Sequence, residues 1–200
     1  MSAVGGLPFW YDPGLAASDT WSPWPFPFWD EPDPIRTMER ASIRAFMEQH
    51  KGKLKGRVLD FGAGEQPYRD LVEGEYLPFE GSEIQLMETA EGEIDAIICN
   101  QVLQYVDLPD FTIQTFAARL KEHGHLILTY ATNWDEVSGD CYHGSHCDRW
   151  RFTKKGMEDL LDRAGFEVID HQRRCEVRVG AFTFPIGYGV VARLRPLPPA

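Results

Sequence analysis

Residues 57–68 read Arg57-Val58-Leu59-Asp60-Phe61-Gly62-Ala63-Gly64-Glu65-Gln66-Pro67-Tyr68. An apolar run ends in an acid, and two glycines at i and i+2 then turn the chain. Gly62 and Gly64 can take positive φ and carry no Cβ, so a ligand can approach the backbone there. A nucleotide-like ligand is seated in this way at the carboxyl end of a first strand. The third glycine of the dinucleotide fingerprint is missing, because Gln66 and Pro67 stand where the close approach to a pyrophosphate would continue. A dinucleotide is therefore disfavoured, while a ligand without a phosphate can still use the turn.

A second chemistry-bearing stretch is Cys141-Tyr142-His143-Gly144-Ser145-His146-Cys147-Asp148-Arg149-Trp150-Arg151. Thiolate and imidazole are the ligands zinc prefers, so Cys141, His143, His146 and Cys147 invite a metal reading. All four fall within seven residues, whereas structural zinc sites join two separated pairs, and no metal is expected.

The whole chain sets the context for these stretches. Two hundred residues suit one domain, with a core large enough to hold a ligand turn in place. A net charge of -11 and a pI near 5.0 argue against a nucleic acid or an anionic membrane surface as partner, and favour a small molecule. The four cysteines lack a short disulfide-framework spacing, no basic region precedes an apolar one at the N-terminus, and no apolar run approaches the roughly 18 residues that span a bilayer. The expected compartment is a reducing cytoplasm.

Residues 1–34 differ from the rest. They hold seven of the fourteen prolines and four of the six tryptophans. Prolines at alternate positions forbid a helix and weaken a strand, yet disordered linkers are poor in aromatics, so the rings must be buried against something. The arm is expected to act as a strap on the core, as a contact in a homodimer, or as a lid over a ligand pocket.

From residue 35 helices and strands alternate. Ile35 to His50 has helical spacing and Gly52 follows it. Val58–Phe61 reads as a first strand, Tyr68–Glu73 as a short helix and Tyr76–Glu80 as a second strand. Ile84–Met87 reads as a third strand and Ile94–Cys99 as a fourth. Leu108–Lys121 is a predicted helix, His125–Tyr130 a fifth strand, and Thr153–Ala164 a helix that Gly165 stops. Phe166–Asp170, extending toward Val179, and Tyr188–Leu194 close the chain as two strands with no helix between them. Unbroken apolar strands between helices indicate a parallel sheet covered on both faces. The expected fold is α/β, a doubly wound and mostly parallel sheet of the seven-stranded type with an antiparallel C-terminal hairpin.

Four blocks in order give this pattern a family likeness: Val58-Leu59-Asp60-Phe61-Gly62-Ala63-Gly64; Ile94 to Val106; Leu120 to Leu128; and Asp148-Arg149-Trp150-Arg151-Phe152-Thr153 leading to Ala164-Gly165-Phe166. The chain resembles the class I S-adenosylmethionine-dependent methyltransferases, in particular small members whose turn runs Gly-x-Gly-x-x-Pro-Tyr. The resemblance implies S-adenosylmethionine as cofactor, with residues 35–200 as the methyltransferase domain. It puts the backbone of Phe61, Gly62 and Gly64 against the methionine portion, with Asp60 shaping the turn or receiving the ammonium group. Glu80 is the implied ribose acid, about 20 residues after the turn as in other nucleoside sites, and Glu83 is its reserve. Asn100 and Gln101 would line the methionine arm, and Glu88 or Glu91 could meet the adenine amino group.

Relatives often carry a His or Glu where Gln104 and Tyr105 stand, so this chain departs there. Methyl transfer needs in-line positioning and, for a hydroxyl acceptor, removal of a proton. The resemblance makes His143 the expected base or acceptor-orienting group and His146 the alternative. Asp148 and Arg151 read as an ion pair holding the loop, with Thr153 capping the next helix. The expected acceptor is a hydroxyl or amine of a sugar or secondary metabolite. A second reading is a non-catalytic member of the fold that binds the cofactor or a protein partner.

Overall fold

The computed structural model describes residues 34–87, 92–132, 149–179 and 182–196. Helix α1 (Pro34–His50) forms because Ile43, Phe46 and Met47 recur at helical spacing and bury against the sheet, while Arg44 and Glu48 pair at i,i+4 on its more exposed side. One 3-10 turn at Lys51–Lys53 then leads into β1 (Lys55–Phe61). The other strands are β2 (Glu73–Phe79), β3 (Ile94–Asn100), β4 (Leu120–Ala131), β5 (Phe166–Val179) and β6 (Phe182–Leu194). Between them lie α2 (Glu83–Leu86), α3 (Pro109–Arg119) and α4 (Lys154–Arg163). Thr153 caps α4 as expected, its hydroxyl accepting the Gly156 N–H at 3.0 Å.

The strands form one six-stranded sheet in the order β2-β1-β3-β4-β6-β5. β1 runs parallel to β2 and β3, and β3 to β4, while β6 is antiparallel to both β4 and β5. The parallel sheet with a terminal antiparallel hairpin is thus present. Successive side chains on a strand point to opposite faces, and the core divides accordingly. On one face α1 packs Ile43, Phe46 and Met47 against Val58, Ala96, Ile98, Ile127 and Val191. On the other, Leu86 of α2, Ile113 and Phe116 of α3, and Met157 and Leu161 of α4 cover Leu59, Ile97, Leu126, Leu128 and Ala192. No helix among the described residues is long and apolar enough to cross a membrane.

Two expectations are corrected. Ile84–Met87 is not a third strand, and six strands rather than seven are present among the described residues. Ser82 and Gln85 close a reciprocal capping box: the Ser82 N–H donates to Gln85 Oε1 at 2.8 Å, and the Gln85 N–H to Ser82 Oγ at 3.4 Å. That pair starts the single turn α2, and Leu86 anchors it in the core. The expected helix over Tyr68–Glu73 is only a 3-10 turn at Arg69–Leu71, because Glu73 is already engaged as the first residue of β2 and its N–H binds Leu54 O at 2.8 Å. With so little helix between β2 and β3, a groove of about 250 Å³ remains along Leu59, Leu77 and Phe79.

The helix α1 approaches β6 closely because Gly189 has no side chain: a Cβ there would lie 2.8 Å from the Phe46 ring. A bulge in β5 matters equally. Val168 pairs with Ala192 and Asp170 with Val191, so Ile169 is the extra residue. The bulge switches faces: His171 points to the α4 side, where it meets Tyr130 and Glu158, and Asp170 and Arg174 point to the α1 side, where they meet His50 and Ser42. Gly189→Ala is expected to destabilise the fold by about 1–3 kcal/mol through overpacking. Gly52→Ala, whose Cβ would meet nothing within 4 Å, should change stability by less than about 0.5 kcal/mol. Denaturant unfolding of both variants checks the contrast, and equal effects would refute the tight α1–β6 contact.

Candidate functional site

β1 becomes fully buried toward its carboxyl end, where Asp60 and Phe61 precede the glycine turn. Gly62 has φ +74° and Gly64 φ +50°. The Gly62 N–H donates to Phe79 O at 2.9 Å and the Ala63 N–H to the same oxygen at 3.4 Å, which fastens the turn to the end of β2. A Cβ on Gly62 would lie 2.5 Å from Val102 Cγ2, whereas one on Gly64 would meet nothing within 4 Å. Gly62 is therefore a packing requirement, and Gly64 borders open space. The Gly64 N–H donates to the Glu80 carboxylate, so the acid expected at the end of the second strand does reach back over the turn.

Asp60 is 2% exposed and accepts a hydrogen bond of 2.6 Å from the Tyr76 hydroxyl. Burial pushes its carboxyl up to about 6; the Tyr76 bond opposes this and the Glu80 charge adds to it. Tyr68, three residues beyond Glu65, lies half-buried on the α1 face. Burial and the Asp60 charge raise its phenol to about 12, against the charges of Arg174, Arg40 and Arg44.

The neighbouring strand supplies amides. Asp60 pairs with Ile98, so Asn100 lies two residues further along β3 and, by alternation, on the same α1 face as Asp60. Both Asn100 Nδ2 and Oδ1 are buried without a hydrogen-bond partner among the described residues. Orphaned buried amides of this kind call for an explanation such as an absent ligand. Gln101 follows with φ +56°, a conformation that costs energy in a non-glycine residue and gathers at functional sites. It is fixed there by its N–H to Thr129 O at 2.9 Å and by Gln104 Nε2, which donates to its Oε1 at 3.1 Å.

Gln104 is 3% exposed, and its backbone oxygen accepts the Arg149 N–H at 2.7 Å and the Trp150 N–H at 3.3 Å. The position that departs from the family pattern is thus a structural tie between the β3 end and the segment leading to α4. Trp150 Nε1 strengthens it with a bond to Val106 O at 2.8 Å.

The structure therefore brings together Asp60, Phe61, Gly62, Gly64, Glu80, Asn100 and Gln101 at the carboxyl edge of β1, β2 and β3. A carboxylate, an unpaired amide, a glycine backbone and a second carboxylate suit a ligand with an ammonium group at one end and vicinal hydroxyls at the other. Glu83 lies in α2, just past Glu80. His143, His146, Cys141, Cys147, Asp148, Glu88, Glu91 and residues 1–33 lie outside the described residues. Sequence reasoning did not identify Tyr76 as the partner of Asp60 or the capping box that positions α2. For the last, the Ser82-x-x-Gln85 spacing was the available signal.

The comparisons with known proteins agree with this fold. A family model described as a methyltransferase domain matches residues 35–171. No curated protein matches the chain in sequence. Among solved structures, an S-adenosylmethionine-dependent methyltransferase from Archaeoglobus fulgidus is 11% identical with a TM-score of 0.58, covering 77% of this chain and 94% of its own. One from Mesorhizobium loti is 14% identical with a TM-score of 0.57, covering 78% and 97%. Magnesium protoporphyrin IX methyltransferase from Synechocystis PCC 6803, solved with bound S-adenosylhomocysteine, is 14% identical with a TM-score of 0.57, covering 82% and 88%. With more than two thirds of its length matched to the methyltransferase domain, the chain belongs to the class I S-adenosylmethionine-dependent methyltransferases.

Proposed function

We propose that the protein transfers a methyl group to a hydroxyl or amine of a small molecule such as a sugar or secondary metabolite. The observation that carries the placement of the donor is the Asn100 amide, buried with neither polar atom satisfied, on the same sheet face as Asp60. S-adenosylmethionine supplies a methyl group already activated on a sulfonium, so the chain's task is binding, orientation and proton removal.

In this reading the Asn100 amide holds the amino-acid end, offering one donor and one acceptor at no charge cost. Gln101, locked by Gln104 and Thr129, fixes the pocket wall beside it. Glu80 receives the ribose hydroxyls; one carboxylate has capacity for these and for the Gly64 N–H together. Gly64 leaves the space that the donor fills. His143 takes the acceptor's proton, with His146 as the alternative. The aromatic arm of residues 1–34 closes over the acceptor, and the chain's net charge of -11 disfavours a nucleic-acid acceptor.

Asp60 ties this reading to pH. Its folded value, about 6, lies above its ordinary 3.8, so protonated Asp60 stabilises the fold. That contribution is complete below about 3.8 and is lost as pH rises through about 6, at a cost on the order of 3 kcal/mol. A cationic ligand nearby offsets the cost by favouring the carboxylate. Affinity for S-adenosylmethionine is therefore expected to rise as pH increases through about 6, with a proton released on binding. Calorimetric titration from pH 5 to 8 checks this, and a flat profile would remove Asp60 from cofactor recognition.

A second reading, cofactor binding without turnover, is favoured by Gln104, whose buried side chain holds Gln101 and offers no base. Two experiments separate the readings. Gly64→Ala should fold, costing about 1–2 kcal/mol for a left-handed alanine, and should weaken S-adenosylhomocysteine binding at least tenfold in calorimetry; unchanged affinity would show that the donor lies elsewhere. A screen of sugars and small aromatic metabolites for S-adenosylhomocysteine release then tests turnover. With an acceptor in hand, His143→Ala is expected to lower kcat at least a hundredfold and leave cofactor affinity unchanged, and unaltered turnover would exclude His143 as the base.

A further inference from the structure

The α1 face of the sheet carries one buried cation that the donor site does not use. The bulge at Ile169 turns Arg174 of β5 toward α1, and its guanidinium extends over β6 at Gly187, where a Cβ would lie 2.5 Å from Nη2. The side chain is 2% exposed. Nη1 donates to Ser42 Oγ at 3.0 Å, but Nε and Nη2 have no hydrogen-bond partner among the described residues. Its ion-pair partner, Glu39 Oε1, is 3.9 Å from Nη2, beyond hydrogen-bond distance.

These two nitrogens form one edge of the guanidinium, the edge that meets both oxygens of a carboxylate at once. A buried charge left without such a partner is costly, and burial accordingly lowers the proton affinity of Arg174. We propose that Arg174 binds a carboxylate group of the methyl acceptor through Nε and Nη2. The proposal rests on the methyltransferase reading of the neighbouring site and names the acceptor's chemical class.

Position separates this carboxylate from the one in the donor's amino-acid end. Asp60 and Asn100 belong to β1 and β3, whereas the guanidinium lies over β6, two strands beyond β3 and three beyond β1. At about 4.8 Å per strand these are roughly 10 and 14 Å. The charges of both Asp60 and Arg174 act on the Tyr68 phenol. Arg40 and Arg44 act on Tyr68 as well, and Arg44 is already paired with Glu48 and Asp70. With Glu39 already its distant ion-pair partner, the Arg174 guanidinium edge matches a single negative charge better than a phosphate dianion.

The test follows the Arg174 Nε–H resonance by heteronuclear NMR in the full chain, at constant ionic strength, with acetate as probe and acetamide as its neutral control. A saturable shift with acetate, absent with acetamide and lost in Arg174→Lys, is expected. Should the lysine variant fail to fold, Glu39→Gln provides the second arm: removing the neighbouring negative charge should tighten acetate at least threefold, and unchanged affinity counts against the proposal. No acetate response in the wild type overturns it. Phosphate binding more tightly than acetate overturns the monoanion assignment, and S-adenosylhomocysteine producing the same shift and blocking acetate would assign the carboxylate to the cofactor. S-adenosylhomocysteine affinity is measured separately by calorimetry, so loss of the donor site and loss of the anion site are told apart.

Discussion

Parallel pairing of β1 with β3 is the constraint on which the site depends. The register Val58 with Ala96, Leu59 with Ile97 and Asp60 with Ile98 ends both strands at one edge and aligns their alternation. A slip of one residue would move Asp60 and Asn100 onto opposite faces. The register is defended by burial on both sides: Val58, Ala96 and Ile98 fill the α1 core, and Leu59, Ile97 and Cys99 fill the other. The glycine turn inherits its position from this pairing and is then held to β2 through Phe79 O.

The α1 face changes character along the strands. Toward the middle it is apolar, with Phe46 and Met47 against Val58, Ile98 and Ile127. Toward the carboxyl edge it carries Asp60, Asn100, Thr129 and Arg174, under Ser42 and Tyr68. A buried polar layer that is only partly hydrogen-bonded is worse for stability than an apolar one. Asn100 and Arg174 are left unsatisfied here while the charged pairs nearer the opposite edge, such as Lys121 with Asp95 at 2.7 Å and Arg57 with Glu93 at 2.6 Å, are complete. Asn100 and Arg174 both lie at the edge that bears the glycine turn.

Much of this was legible in the sequence because its signals are local. The apolar runs of β1 and β3, the Gly62-Ala63-Gly64 turn, the Thr153 cap and the closing hairpin each depend on residues within one element. Glu80 was placed by its distance from the turn, and it does reach Gly64. The connection between β2 and β3 was misread because four apolar-rich residues, Ile84–Met87, suit a strand or a helical turn equally, and a side-chain capping box decided between them. Arg174 was not legible at all. Arg173 and Arg174 are adjacent, so a strand must turn one outward and one inward. Which is which depends on the Ile169 bulge, and nothing local in the sequence announces it.

The exposed apolar side chains complete the argument about which edge is used. Besides Met38 on α1 and Ile169 at the β5 bulge, the large ones among the described residues are Ile84 and Met87, which follow the end of β2, Leu108, which precedes α3, and Trp150, which is tied to the loop after β3. All four therefore rim the carboxyl edge. Leu108 at 60% and Ile84 at 68% exposure are left uncovered by any described element, at positions where a polar residue would cost the fold nothing. Apolar surface rimming a polar cleft is how a site excludes water from a ligand that it contacts on several sides. Excluding water also strengthens each charge interaction inside, so in the proposed reading the rim and the buried polar layer serve one end: Asp60 and Arg174 would act more strongly on a bound partner the less solvent remains between them.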